Sequence, residues 1–310
     1  MEAQTVQIDA HLSSAKAKKN WRPGGIDYIG YLMVAPWLVH LLLFVVFPLG
    51  FAFYLVFNDW HIVQKTFTFV GSKNILRFIS DPELLRVALN TMKIMTIQVV
   101  IVTVFSLVLA LLLNANLRGT GFFRTIFFLP IITSTVVIAL IWRYLLAADV
   151  GYVNYFLSLI GINGPTWLLD PNYAVVSLIT MLVWVSTPYN ILIFLTGLQA
   201  IPHELHEAAM IDGAGIWRRF WAVTFPLLNP TIVLVLLLTT IGSLQVFAEP
   251  MVLTQGGPAG ATSTVAIYLF EQSMVSRRYG YGSLIGIALG ISIFLLVGIQ
   301  RRLVERKLDF

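Results

Sequence analysis

The sequence predicts an all-α, polytopic membrane protein with six transmembrane helices, and three observations carry that prediction. Hydrophobic residues make up 58% of the 310-residue chain and charged residues 11%, against roughly 25% charge in soluble domains. Six uncharged segments are long enough to cross the hydrocarbon core, which is about 30 Å thick and needs roughly 20 helical residues. Between the fourth and fifth lies a cassette, residues 201–226, whose acids and arginines keep it out of hydrocarbon.

The spans are read at residues 29–57, 94–113, 125–142, 173–198, 227–247 and 281–300. The first is long and holds Pro36 and Pro48, which predicts a kink or an extension beyond the bilayer. It lacks a short apolar core with a small-residue cleavage site, so it reads as an uncleaved span. The third is the shortest. Residues 1–28 then form a cytoplasmic N-terminal tail, residues 29–300 one membrane domain, and residues 301–310 a basic cytoplasmic tail. Cysteine is absent, which rules out disulfides and thiolate metal sites.

Orientation follows from Lys and Arg. With the N-terminus inside, the inner face holds Lys16, Lys18, Lys19, Arg22, Arg118, Arg124, Arg218, Arg219, Arg301, Arg302, Arg306 and Lys307, twelve in all, against seven outside. Lys93 sits near the outer end of the second span, where its stem can snorkel. The net charge of +5 is spread over loops beside spans and calls for no nucleic acid. The cassette therefore faces the cytoplasm.

Within the cassette, Pro202 can start a short helix and Gly213 can end it with a positive φ. That helix brings Leu205, Ala208 and Ala209 together as a small apolar patch, with Glu207 beside it to meet an arginine of a partner. Trp217, Arg218, Arg219, Phe220 and Trp221 also suit a helix lying on lipid headgroups, the competing reading. The run His203-Glu204-Leu205-His206-Glu207 mimics a zinc helix, but H-E-x-x-H requires His at position 207, so the metal reading fails on spacing. There is no phosphate-binding G-x-x-x-x-G-K-[ST] loop, no G-x-S-x-G elbow and no carboxylate pair within a span, so neither catalysis nor ATP binding is expected of this chain.

Glu207-Ala208-Ala209, Asp212-Gly213 and the downstream Phe225-Pro226-Leu227-Leu228-Asn229-Pro230 closely resemble the EAA motif of permease subunits from bacterial import systems driven by a separate ATP-binding cassette subunit. The resemblance implies that Glu207, Ala208, Ala209, Asp212 and Gly213 belong to a coupling helix seated in a cleft of the ATPase. A second stretch, Thr254-Gln255-Gly256-Gly257-Pro258, would be a plain turn by itself. With the first motif it is similar to sugar permeases of the maltose or glycerol-phosphate type, in the first permease subunit. The implied assembly has a second permease, two ATPase subunits that hold ATP and Mg, and an extracytoplasmic solute-binding protein delivering a carbohydrate to the loops around Gly151 and Gly256. This chain carries no cofactor. Its implied place is the bacterial inner membrane, with both termini cytoplasmic.

Depth within the spans marks a solute path. Ser134 and Thr135, Ser186, Thr187, Tyr189 and Asn190, and Thr239, Thr240, Ser243 and Gln245 are polar, uncharged and near mid-depth or just off it. Uncharged hydroxyls and amides suit a neutral polyhydroxylated solute, although the same residues also hold membrane helices together. Trp184, Tyr189 and Phe247 can stack on sugar faces. Pro188 predicts a discontinuous helix beside a site. Glu249 is read as a solvated loop carboxylate, because Pro250 ends the helix there, with a vestibule position as the alternative. The runner-up function, a self-sufficient secondary transporter or channel, wants intramembrane charge and two similar halves. The chain offers only His40 and Lys93, and no repeat.

Overall fold

A computed structural model describes residues 28–61, 66–115 and 120–305. The chain divides into two compact units, the first ending at Gly50 and the second beginning at Phe51. Of the sequence-derived tails, residues 1–27 and 306–310 lie outside the described residues, whereas Arg301 and Arg302 are the last turn of a helix.

The first unit is helical where described: α1 (Tyr28–Leu41) leads through a π-helical turn (Leu42–Val46) into α2 (Phe47–Val56), which contains the boundary. The kink expected of the prolines takes the form of that widened turn. Phe47 N–H reaches five residues back to the Leu42 carbonyl. Pro48, next in sequence, has no N–H to give and its ring crowds the preceding turn, which an extra residue relieves.

The second unit opens with a small antiparallel hairpin, β1 (Asn58–His61) paired with β2 (Thr66–Phe69), in which Trp60 stacks on Phe67 at 5.3 Å. A short helix α3 (Lys73–Ser80) precedes α4 (Pro82–Asn114). Next come α5 (Thr120–Phe128), a 3₁₀ turn (Leu129–Ile132), α6 (Thr135–Leu145) and α7 (Tyr152–Leu159). The long α8 (Pro171–Gln199) leads into the cassette helices α9 (His203–Ile211), α10 (Ile216–Arg219) and α11 (Phe225–Leu227). The chain finishes with α12 (Asn229–Leu244), α13 (Ala248–Leu253), α14 (Val265–Phe270) and α15 (Tyr279–Val304).

Among the described residues, four helical stretches are long and apolar enough to cross a membrane, and two bent pairs, each taken as one span, bring the number to six. The bends correct the sequence reading of the third and fifth spans. The third breaks by 112° between Thr125–Ile132 and Thr135–Leu145, where Pro130 tightens the backbone to 3₁₀. The fifth is bent by 64° at its entry, and its helix stops at Leu244, not at residue 247. The second and fourth spans are longer than read, and each begins with the same device. Asp81 caps α4 through Glu83 N (3.0 Å) and Leu84 N (3.3 Å), with Pro82 at the first helical position. Asp170 caps α8 through Asn172 N (2.8 Å) and Tyr173 N (3.2 Å), with Pro171 following. An aspartate accepts the orphan N–H groups, and a proline there forfeits no bond.

α4 and α8 pack along their lengths with α12 against them. One apolar cluster joins Ile94 to Leu178, Leu182 and Val246. A second joins Ala110 and Leu113 to Phe194, Leu198, Leu228 and Ile232. Between them along α4 and α8 lie Gln98, Ser106, Thr187 and Asn190, all buried, so polar side chains occupy the middle of the bundle.

Asp81 also ties the start of α4 to α14 and α15. Its Oδ2 accepts from the hydroxyls of Tyr268 (2.6 Å) and Tyr281 (2.5 Å), and the Arg77 guanidinium lies 4.4 Å above the Tyr281 ring. Burial alone would raise the Asp81 carboxyl. The two tyrosine hydroxyls and the Leu84 and Glu83 N–H groups outweigh it and hold the group below its ordinary value of 3.8. The same contact and burial push the Tyr268 hydroxyl up to about 12. A depressed carboxyl stabilises the fold fully above 3.8 and loses that contribution as pH falls through the lower folded value. Asp81→Asn should cost about 1–2 kcal/mol at neutral pH. Thermal unfolding in detergent should show that the parent approaches the variant's midpoint as pH is taken below 3.8.

Candidate functional site

The buried polar layer opens into a cavity of 320 Å³ walled by α4, α8, α12 and α13. Gln98 of α4 organises it. Its Nε2 donates to Ser186 Oγ on α8 (3.2 Å) and its Oε1 accepts from Ser243 Oγ on α12 (2.9 Å). Gln98 is 3% exposed, so both halves of the amide need protein partners, and they have them. Asn190 donates to the Ser186 carbonyl (3.1 Å), while the Thr239 hydroxyl is buried and makes no hydrogen bond. An unpaired hydroxyl in a cavity wall is costly unless a ligand or water supplies the partner.

Five of the sequence-derived path residues line this cavity: Ser186, Tyr189, Asn190, Thr239 and Ser243. Tyr189 is 56% exposed and brings its ring to the space. Gln245 does not line it. The reading of an unbroken helix to residue 247 placed Gln245 on the path, but α12 ends one residue earlier and Gln245 is its exposed cap. Ser134 and Thr135 lie at the break before α6, Thr187 bonds the Val183 carbonyl (2.7 Å), and Phe247 packs on Phe270 at 5.2 Å. None of these lines the cavity.

Two further corrections concern charge and backbone. Glu249 is half-buried and lines the cavity, so the vestibule position describes it and the solvated loop does not. Burial pushes its carboxyl above the usual range, offset in part by its own backbone N–H. The discontinuity expected at Pro188 is absent: α8 runs unbroken through it. The ring is buried, and the packing of α8 against α4 carries the helix through the single bond that Pro188 cannot give to the Trp184 carbonyl. Gln98 is the residue the sequence reading missed. It stands four positions inside the second span, an amide among aliphatics, and that cost of burial was the available signal.

The cassette connects the C-terminal end of α8 to α12, two of the cavity walls. α9 closes with paired bonds, Gly213 N to Met210 O (3.0 Å) and Ala214 N to Ala209 O (2.9 Å), with Gly213 at φ +72°. This is a Schellman ending, in which the glycine takes the left-handed residue. Glu207, Ala208, Asp212 and Gly213 are exposed and Ala209 is half-buried. Leu205 and Met210 are exposed too, and Ile211 is 87% exposed, so the patch is broader than the alanine pair. At the root of the cassette a Cβ on Gly197 would strike Thr231, which shows how closely α8 and α12 approach there.

The loop after α13 is held in place. Thr262 Oγ1 donates to the Gly257 carbonyl (2.7 Å), and from α4 Arg86 and Asn90 donate to the carbonyls of Ala259 (2.9 Å) and Gly260 (2.9 Å). Gln255, Gly256, Ala259 and Gly260 all have positive φ, a backbone that packing and these bonds maintain.

With this geometry in view, residues 102–310 match the family model described as "binding-protein-dependent transport system inner membrane component". The chain is 36% identical to the trehalose/maltose transport system permease protein MalF of Thermococcus litoralis, over 87% of this chain and 90% of that one. It is 33% identical to the sn-glycerol-3-phosphate transport system permease protein UgpA of Agrobacterium fabrum, over 90% and 96% of the two chains. Among solved structures, a chain of a bacterial ABC transporter involved in import of the acidic polysaccharide alginate superposes with a TM-score of 0.80 at 22% identity, covering 91% of this chain and 97% of that one. A chain of a bacterial alginate ABC transporter in complex with an alginate pentasaccharide-bound periplasmic protein superposes with a TM-score of 0.78 at 22% identity, covering 91% and 97% of the two chains. The likeness to these structures shows the fold.

Gln98→Ala should strand the Ser186 and Ser243 hydroxyls and lower stability by about 1–2 kcal/mol. Thermal unfolding of the full chain in detergent reads this directly, and an unchanged midpoint would mean that the amide does not join the helices.

Proposed function

Because the chain belongs to the family of binding-protein-dependent transport system inner membrane components, we propose that it is the permease subunit of an ATP-driven importer of sugars or oligosaccharides, forming half of the translocation path. The observation that carries the carbohydrate reading is the cavity around Gln98. Its polar lining is hydroxyls and amides, with Tyr189 for stacking. Among the described residues no lysine, arginine or histidine lines it, and Glu249 is the one acid that does. A phosphate or uronate would find no counter-charge there and would meet a carboxyl, which favours a neutral polyhydroxylated solute. The carbohydrate-named relatives support the class of solute without selecting one member.

In this reading the chain works with a second permease, two ATPase subunits that bind ATP and Mg, and an external solute-binding protein. The α9 helix, with Glu207, Ala208, Ala209, Asp212 and Gly213, docks to the ATPase. Its exposed Leu205, Met210 and Ile211 are unusual for an element facing water and suit a partner's cleft. Closure of the ATPases would move α9, and the tight approach at Gly197 and Thr231 passes the motion to α8 and α12. The excess of inner-face arginine and lysine supports a cell membrane location with cytoplasmic termini.

Purification of the tagged chain from native membranes should recover a second permease and an ATPase pair; a lone chain without ATPase would favour a secondary transporter. In the recovered complex Gly213→Val should cost about 1–2 kcal/mol at the turn, because a β-branched residue is forced to positive φ. Solute-stimulated ATP hydrolysis should fall while the chain still folds, and unchanged coupling would remove the docking role. A Cβ at Gly242 meets nothing within 4 Å and would project beside the cavity. Gly242→Leu should therefore fold at least as stably, with about 1 kcal/mol of helix propensity gained, yet reduce solute uptake in proteoliposomes about tenfold or more, equivalent to about 1.4 kcal/mol.

A further inference from the structure

A second cavity, of 890 Å³, lies between the C-terminal half of α4 and the cassette. One wall is aliphatic: Val104, Leu107, Val108 and Leu111 of α4. The other end is basic and polar, with Arg219, His203 and His206, and among the described residues no acid lines the cavity, even though Glu204, Glu207 and Asp212 belong to the same cassette. The Arg219 Nε is buried and has no hydrogen-bond partner among the described residues. A guanidinium edge withdrawn from water without a carboxylate leaves a strong donor unused, and an anionic oxygen is the group that answers it.

The dimensions point to one kind of anion. From Val104 to Ala115 the helix rises about 16 Å, roughly half of the ~30 Å hydrocarbon core, which is the depth of one leaflet. Trp217 and Trp221, both exposed, line the cavity near its basic end, and tryptophan favours the headgroup level. The α4 lining, aliphatic from Val104 to Leu111 and polar at Asn114, thus spans about one leaflet, and the cationic end is at the membrane surface.

We propose that this groove binds an anionic phospholipid of the leaflet on the cassette side, with its phosphate held by Arg219, His203 and His206 and one acyl chain along α4. The lipid bridges α4 to the cassette. This assignment does not depend on the identity of the transported solute or on ATPase docking.

Native mass spectrometry of the full chain in mild detergent, titrated separately with dioleoyl phosphatidylglycerol and dioleoyl phosphatidylcholine, tests it. Both lipids offer a phosphate, but the choline ammonium of phosphatidylcholine is repelled by the cationic end of the groove, so phosphatidylglycerol should be retained about tenfold more tightly, equivalent to about 1.4 kcal/mol. Arg219→Gln should erase most of that preference, and Val108→Trp, which fills the aliphatic wall, should release both lipids. If Arg219→Gln does not fold, the double variant His203→Gln, His206→Gln gives the same reading through the other end of the site. Equal retention of the two lipids would overturn the proposal. So would displacement of phosphatidylglycerol by inorganic phosphate with no effect of Val108→Trp, which would mark a free-phosphate site. Binding that emerges only after removal of residues 1–27 would assign the groove to the chain's own N-terminal segment and overturn it as well.

Discussion

In hydrocarbon a primary amide must find its partners inside the protein, and Gln98 finds them on two other helices. Its nitrogen holds Ser186 on α8 and its oxygen holds Ser243 on α12, so three helices share one axial register. Apolar packing alone would tolerate sliding of these helices, since aliphatic side chains make similar contacts in neighbouring positions. The amide removes that freedom. It lies between the two apolar clusters and lines the cavity that opens there.

Prolines shape the rest of the chain by what they cannot donate. Pro82 and Pro171 stand where a helix has no bond to lose, and an aspartate before each caps the free N–H groups. Pro48 and Pro226 stand just beyond π-helical turns, Leu42–Val46 and Phe220–Thr224, where one extra residue absorbs the clash. Pro188 is carried inside an unbroken helix because its buried ring sits within a packed bundle that bears the loss of one bond to the Trp184 carbonyl. The same residue type therefore starts helices, widens them or passes unnoticed, according to where in a helix it stands and how tightly that helix is packed.

The cassette joins two of the cavity walls through a short connection with little slack. A Schellman ending fixes the exit of α9, and close packing of Gly197 on Thr231 fixes the root. A displacement of α9 consequently has few local ways to dissipate. Its apolar residues are turned to the surface while its histidines line the groove against α4, so one short element presents two chemically different sides.

Composition and local pattern were enough for the membrane class, the six apolar segments, the polar cassette and the glycine that ends its helix. Each depends on transfer free energy or backbone conformation, properties of a residue and its near neighbours. Ser186, Tyr189, Asn190, Thr239 and Ser243 were legible as polar residues at depth for the same reason. Asp81-Pro82 and Asp170-Pro171 carried the true starts of the two long helices, but a hydropathy window that stops at the first charge hides them. The tertiary structure alone decided that Gln98 bridges three helices, that Glu249 turns into the cavity, that Gln245 does not, and that Asp81 gathers two tyrosines from nearly 200 residues away. Those outcomes depend on the rotation and axial register of whole helices, which packing between distant segments sets and which no local stretch of sequence contains.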